Sequence, residues 1–285
     1  MRDVSRRLGG VTVDGWRSYS EADSDAANIA GTLKVRDGIQ SPQLGNARRL
    51  LAYLPPSYDE GCRRYPVLYM HDGQNLFDPA TSFAGAWGVD ETMAAAHAEG
   101  LDAIVVGIPN QGDERLNEYS PFVDLRLGGG KGERYVAFLC DTVKPLIDAD
   151  FRTLPGREHT GVVGSSMGGL ISLYAFFRRP EVFGCVGAMS PSLWFARRAV
   201  FGYIQRAAFV SGRIYLDAGT GEGRGELSDV RRLCRLLRGK GYREGADLLC
   251  TIEKGAGHDE SAWGHRLPRE LRFLLRADGE ALAAG

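Results

Sequence analysis

The chain has 285 residues, 44% of them hydrophobic, and its 35 basic and 36 acidic side chains leave a formal net charge of −1. One large α/β domain suits that length better than two small ones, and the hydrophobic share is enough to bury a substantial core. A near-neutral chain has no overall field to steer it to nucleic acid or an anionic membrane, and no apolar run reaches the length of a membrane span.

Other features of composition set the expected compartment. The five cysteines, at 62, 140, 185, 234 and 250, are odd in number and include no CxxC pair. They read as buried free thiols in a reducing compartment. Met1 to Gly10 carries charge but no apolar stretch of the secretory kind, so a cytoplasmic protein is expected. Arg231, Arg235 and Arg238 share one helix face, which reads as solvated rather than as a phosphate site.

In chain order, residues 1–30 read as an N-terminal extension, with a possible strand at Val11-Thr12-Val13 and a polar, acidic stretch from Ser18 to Ala30. The domain proper is expected over 31–276, and 277–285 as a tail. Strands are predicted at 32–35 and 49–54, the second stopped by Pro55-Pro56, as antiparallel leaders at a sheet edge. The continuous apolar run 65–70 reads as a strand buried on both faces. A helix over 89–99, a strand over 103–108, a flexible joint at Gly128-Gly129-Gly130 and a helix over 133–148 with a kink at Pro145 follow. Further strands are predicted at 160–163, 185–189, 213–217 and 246–252, with helices after the first of these, over 227–238 and over 261–276. This alternation predicts an α/β fold in three αβα layers, with a mostly parallel, doubly wound sheet and antiparallel leading strands.

The most informative stretch is Gly164-Ser165-Ser166-Met167-Gly168, a Gly-x-Ser-x-Gly between a short apolar strand and a helix pattern at Leu170, Leu173, Tyr174 and Phe177. That context marks a nucleophile elbow, a turn so tight that its serine takes strained backbone angles and stands clear of the sheet. The helix that follows points its first N–H groups at the same place, where negative charge would develop.

Open α/β sheets bind ligands beyond the C-terminal ends of their strands. Four loops at that edge carry useful groups, at His71, Ser166, Glu222 and His258. A serine needs a base, an imidazole can take and return its proton, and a carboxylate fixes the imidazole. Of the five histidines, His97 and His265 fall inside helices and His159 at the far end of the elbow strand, whereas His258 lies in a Gly-rich loop directly after the last strand. The acid is Glu222 or Asp217. Glu222, with the longer reach and the loop position, is favoured, and Asp259 is ranked low because it adjoins the base. The chain order of nucleophile, acid and histidine is that of α/β-hydrolases. An oxyanion hole would draw on the Met167 N–H and on one from the loop after strand 65–70, most simply that of Gln74. Asp72, Asn75, Arg115, Glu118, Tyr119 and Trp194 follow strand ends and are candidates for binding substrate, Trp194 as an aromatic wall. Arg115 with Glu118 could equally be a loop-bracing ion pair. No metal or cofactor is expected: a site from His71-Asp72 with His258-Asp259 lacks the spacing of any ligand motif.

Several further stretches, taken together, are specific: Leu54-Pro55-Pro56-Ser57-Tyr58, the run from Tyr65 through His71-Asp72-Gly73-Gln74-Asn75 to Asp78, Arg152-Thr153-Leu154-Pro155, Ser190-Pro191-Ser192-Leu193-Trp194, Gly219-Thr220-Gly221-Glu222 and Gly257-His258. With the elbow, they make residues 31–276 resemble the putative-esterase branch of the α/β-hydrolases. That branch holds esterase D, enterochelin-type siderophore esterases and feruloyl esterases, with mycolyltransferases as relatives. The resemblance implies a serine esterase with Ser166 as nucleophile, His258 as base, Glu222 as acid, and the Asp72-Gly73-Gln74 loop as half of the oxyanion hole. Some siderophore esterases of the branch work with a Ser–His pair alone. The partner implied is a small-molecule ester, with acyl transfer on the same groups, or a silent binding protein, as alternatives.

Overall fold

The computed structural model describes residues 15–20, 23 and 29–276. The possible strand at Val11–Val13 and the tail at 277–285 lie outside the described residues.

The chain begins with three strands, β1 (Arg17–Ser18), β2 (Thr32–Ser41) and β3 (Asn46–Leu54). Then come β4 (Val67–His71), α1 (Val89–Ala98), β5 (Ile104–Ile108) and the short α2 (Arg115–Glu118). A small hairpin, β6 (Val123–Asp124) and β7 (Gly128–Gly129), precedes α3 (Gly132–Phe138) and α4 (Lys144–Asp150). The second half alternates strictly: β8 (Thr160–Ser165), α5 (Met167–Arg178), β9 (Cys185–Met189), α6 (Phe195–Arg206), β10 (Arg213–Gly219), α7 (Arg224–Gly239), β11 (Leu248–Glu253) and α8 (Glu260–Leu275).

Nine strands make one sheet in the order β1-β2-β3-β5-β4-β8-β9-β10-β11. The pairings among β1, β2, β3 and β5 are antiparallel. Those from β5 through β4, β8, β9 and β10 to β11 are parallel. This is the mostly parallel sheet with antiparallel leaders that the alternation predicts. β4, β5, β8 and β9 are buried along their whole length because helices cover both faces, which is why they read as unbroken apolar runs. Along β4, Val67 and Tyr69 join one core with α3, α5, α6 and α7, and Leu68 and Met70 join the other with α1 and α8. The period-two alternation of a strand thus feeds two cores and sets up three layers. Residues ahead of β2 pack on the same sheet: Trp16 is buried and its Nε1 donates to Asp150 at 2.8 Å, and the Tyr19 hydroxyl donates to Asp78 at 2.9 Å.

Three expectations need correction. The helix expected over 133–148 is present, running unbroken through α3, Leu139–Val143 and α4, but its irregularity is a π-helical turn at Leu139–Val143 rather than a kink at Pro145. Pro145 sits in the first turn of α4, and a proline there cannot share a tight helical turn with the carbonyl four residues back, so the widened turn falls just upstream. The glycines at 128–130 are not a flexible joint but part of a hairpin. All three have φ between 92° and 101°, and a Cβ on Gly129 would lie 2.2 Å from the Phe122 carbonyl oxygen. Lastly, Cys234 of α7 and Cys250 of β11 form a disulfide, their Cα atoms 6.3 Å apart, where α7 packs across the edge strand. Cys140 and Cys185 are free and buried, and Cys62 is free but exposed. With that bond, the cysteine argument for a reducing compartment loses its basis. No helix among the described residues is long and apolar enough to cross a membrane.

Candidate active site

The elbow follows from sterics. Ser166, between β8 and α5, takes φ 54° and ψ −121°. Conformations of that kind cost about 1–3 kcal/mol and persist only where the surroundings over-determine them. Here the Ser166 N–H donates to Met189 at 2.9 Å, while its carbonyl accepts from Ser192 and Leu170 at 2.9 and 3.1 Å. A Cβ on Gly164 would sit 2.6 Å from the Gly168 backbone, so the turn closes only with glycine.

The loops after β10 and β11 are laced together. The Thr220 N–H donates to Glu253, the Gly221 N–H to Ala256, and the Gly255 N–H to the Thr220 hydroxyl, all at 2.8–2.9 Å. That lacing sets His258 between two partners. Its Nε2 is 3.0 Å from Ser166 Oγ and its Nδ1 is 3.1 Å from Glu222 Oε2. The Trp263 ring packs edge-on against the imidazole at 5.0 Å. Asp259 is turned away: it caps α8, accepting from the Ala262 N–H at 2.9 Å.

Two carboxyls lie in this region. Glu222 is the one facing His258, and its Oε1 also accepts from the Ser190 hydroxyl at 2.6 Å and the Gly219 N–H at 2.5 Å. Burial raises the Glu222 carboxyl, but those bonds outweigh it and leave it below the usual range. Asp217, within β10, instead accepts from the Ser190 N–H and the Tyr215 hydroxyl, each at 3.0 Å, and pairs with Arg266 at 3.0 Å. Complete burial pushes it up to about 6.

The loop after β4 is shaped by Asp72, which takes the left-handed conformation at φ 54°. Its carboxylate receives Arg115 Nε and Nη2 at 2.8 Å each and the Asn110 amide at 2.6 Å. Burial raises the Asp72 carboxyl, but Arg115 and Asn110 outweigh it and hold it below the usual range. The Asp72 N–H donates to the Tyr119 hydroxyl at 3.0 Å. Arg115 and Glu118 therefore do not brace one another: Glu118 pairs with buried Arg48 of β3 at 2.8 Å. Gln74 follows in a single turn of 3-10 helix, its Oε1 accepting from the Asn110 N–H at 3.1 Å. Asn75 donates to Glu260 at 3.1 Å and accepts from the Phe83 N–H at 3.2 Å, fixing the mouth of the cleft. His71 lies beneath the elbow, its Nδ1 2.8 Å from the Tyr135 hydroxyl, and burial pushes it down to about 4. Among the described residues no cluster of three or more His, Cys, Asp or Glu is arranged to hold a metal.

A cleft of about 490 Å³ opens on Ser166 and His258, lined by Asp72, Gln74, Asn75, Asn110, Arg115, Glu260, Phe83 and Trp263 among others. Trp194 is not among its lining residues. It is 41% exposed and its ring lies tilted against that of Phe195 at the start of α6. The aromatic wall is Trp263, with Phe83, 91% exposed, at the mouth. Neither is marked by the sequence, since Trp263 sits inside an amphipathic helix and Phe83 in a loop. Ser192, whose Oγ lies 3.1 Å from Ser166 Oγ, belongs to the Ser190-Pro191-Ser192 stretch that already carried the family resemblance.

Comparison with known proteins places the chain in a family. The model of the family described as Putative esterase matches residues 41–274. The chain is 30% identical over 255 residues to "Uncharacterized protein YbbA" of Bacillus subtilis (strain 168), covering 84% of this chain and 97% of that one. It is 35% identical over 137 residues to "Siderophore triacetylfusarinine C esterase" of Aspergillus fumigatus, covering 45% of this chain and 44% of that one. Among solved structures, a ferulic acid esterase superposes with a TM-score of 0.68 at 22% identity, over 86% of this chain and 98% of that one. The enterobactin esterase FES from Shigella flexneri superposes with a TM-score of 0.66 at 21% identity, over 87% of this chain and 60% of that one. An elbow serine on a parallel sheet, a histidine after the last strand and a family match over most of the chain agree: the protein belongs to the Putative esterase family, carboxylic ester hydrolases of the α/β-hydrolase fold.

Proposed function

We propose that the protein is a serine esterase in which Ser166, His258 and Glu222 work as a triad through an acyl-enzyme. The observation that carries this is the unbroken chain of hydrogen bonds from Ser166 Oγ to His258 at 3.0 Å and from His258 to Glu222 at 3.1 Å. Ser166 Oγ attacks the ester carbonyl carbon while His258 Nε2 takes its proton. The Ser192 hydroxyl then donates to Ser166. The Met167 N–H, at the start of α5, and the Gln74 N–H hold the oxyanion. His258 passes its proton to the leaving alcohol, takes one from the water that attacks the acyl carbon, and returns it to Ser166 Oγ as the acid leaves. With its side chain 36% exposed, His258 can be reached by water.

The substrate class is a small-molecule ester. A cleft of about 490 Å³ walled by Trp263 and Phe83, with the Arg115 guanidinium on its side, suits an acyl group with a flat apolar body and an acidic or hydroxylated end. Relatives named as siderophore esterases make trilactone and related siderophore esters first choices. The test is turnover of p-nitrophenyl acetate, then a panel of siderophore, feruloyl and short-chain esters, by wild type and Ser166→Ala. Loss of turnover in the variant, with a covalent acyl adduct on wild type by intact mass, is expected. Undiminished turnover in Ser166→Ala would overturn the proposal.

A further inference from the structure

Behind Glu222 lies a second layer of polar groups whose protons can be assigned one by one. Ser190 is buried, in the left-handed conformation at φ 43°. Its Oγ has three neighbours: Trp263 Nε1 at 3.1 Å, Arg266 Nη2 at 2.9 Å and Glu222 Oε1 at 2.6 Å. A hydroxyl has one proton and two lone pairs, and an indole N–H and a guanidinium N–H can only donate. Trp263 and Arg266 therefore fill both lone pairs of Ser190. Its single proton has one place left to go, Glu222 Oε1, and 2.6 Å is the length of a hydroxyl bonded to a carboxylate.

The same oxygen accepts the Gly219 N–H, so Oε1 has two donors converging on it and carries no proton. These bonds outweigh burial and favour the ionised carboxylate, with Oε2 turned to His258. An ionised Oε2 accepts, so His258 Nδ1 bears the hydrogen and Nε2 offers its lone pair to Ser166. We infer that Ser190, its hydroxyl proton aimed by Trp263 and Arg266, is a positioning residue that keeps Glu222 ionised and so selects the reactive tautomer of His258. This rests on the Ser166–His258–Glu222 reading above.

The charges facing this layer come from two elements. β10 supplies Asp217, paired with Arg266 at 3.0 Å, and the Tyr215 hydroxyl that donates to it. α8 supplies Arg266, which also lies 3.6 Å from Glu222 Oε1, and Glu270. Glu270 is fully buried, neither of its oxygens has a hydrogen-bond partner, and burial pushes its carboxyl well above the usual range. The guanidinium of Arg266 faces the Asp217 and Glu222 carboxyls, and the imidazolium formed during reaction supplies the second positive charge.

Ser190→Ala removes the aimed proton. With p-nitrophenyl acetate, kcat is expected to fall by roughly tenfold or more, the usual worth of a charge-assisted bond, with KM little changed. The acid limb of kcat/KM is expected to move to higher pH, because a carboxylate short of a donor holds the imidazolium more firmly. The low-field Nδ1–H proton resonance of His258 should shift with it. Trp263→Phe, which removes one donor to Ser190 and keeps the ring, should move the limb and the resonance the same way by a smaller amount. It carries the test if Ser190→Ala does not fold. A lower kcat with the limb and the resonance unmoved would overturn the inference and leave Ser190 a packing residue. Ser166→Ala, run alongside, separates the two readings: if it keeps full activity, the triad itself is wrong.

Discussion

Asp72→Asn isolates the contribution of one buried charge to both stability and catalysis. Asparagine tolerates the left-handed conformation that Asp72 adopts, so the backbone strain hardly changes. What goes is the bidentate pair with Arg115, two bonds of 2.8 Å between a carboxylate only 6% exposed and a guanidinium 26% exposed. Breaking a fully buried pair typically costs about 3–5 kcal/mol, and the partial exposure of Arg115, which can recover water, reduces that to roughly 2–3 kcal/mol. At about 2–4 °C per kcal/mol for a domain of this size, the melting temperature should fall by about 5–10 °C. The pH dependence gives the sign. Asp72 has a depressed pKa in the folded state, so its stabilisation is complete above its unfolded pKa and lost as pH falls through the folded value. The gap between wild type and variant should stay constant from pH 8 down to about 5 and close below about pH 4. Differential scanning fluorimetry across that range, with p-nitrophenyl acetate kinetics at pH 7.5, measures both effects. A gap that persists unchanged at pH 3.5, or no gap at pH 7, would refute the account of Asp72 as a paired carboxylate shaping the Gln74 turn.

Glu222→Gln should lower kcat by roughly 10³–10⁴, the cost of losing the carboxylate that orients a catalytic histidine, with little change in KM; a loss under tenfold would favour a Ser–His pair working alone. Arg48→Ala leaves Glu118 buried without its partner and should cost about 3–5 kcal/mol by urea melt, most of it recovered in Arg48→Met with Glu118→Leu. Trp194→Ala should leave kcat/KM for small aryl esters within about twofold, whereas Trp263→Ala, which strips the cleft wall, should cut it by tenfold or more. Reducing Cys234–Cys250, which closes a loop of sequence separation 16, should cost about 3 kcal/mol on the chain-entropy estimate, seen as a lower urea midpoint with dithiothreitol.

Much of the fold was legible because it is written in local patterns. The apolar runs that became β4, β5, β8 and β9 can only be strands covered on both faces, and their alternation with helices leaves few topologies. The positions of Ser166, Glu222 and His258 after strand ends were legible for the same reason. Side-chain partners across the sheet were not. Nothing near Arg115 in sequence says that it reaches back 43 residues to Asp72, or that Glu118 reaches back 70 to Arg48. Arg266 and Glu270 sit four apart in a charged amphipathic helix and look solvated, yet both are buried against β9 and β10. Gly187 makes the room: a Cβ there would lie 1.6 Å from Glu270 Oε1. The Cys234–Cys250 bond also depends on how α7 crosses an edge strand, which periodicity does not encode.

The lacing between the loops after β10 and β11 ties Glu222 and His258 into one unit at the end of the sheet. On the proposed function, the groups that move protons hang from the second half of the sheet together with the Trp263 wall, while the cleft lining at Gln74, Phe83, Asn110 and Arg115 comes from the first. Residues 79–87 are therefore where a library should be built to change which ester is accepted, with Asn110 and Arg115 kept because they hold Asp72. Randomising 253–258 would instead disturb the chemistry common to every substrate. On the proposed function, the outer lining at the mouth of the cleft can change which acyl group is seated while Ser166, His258 and Glu222 stay in place.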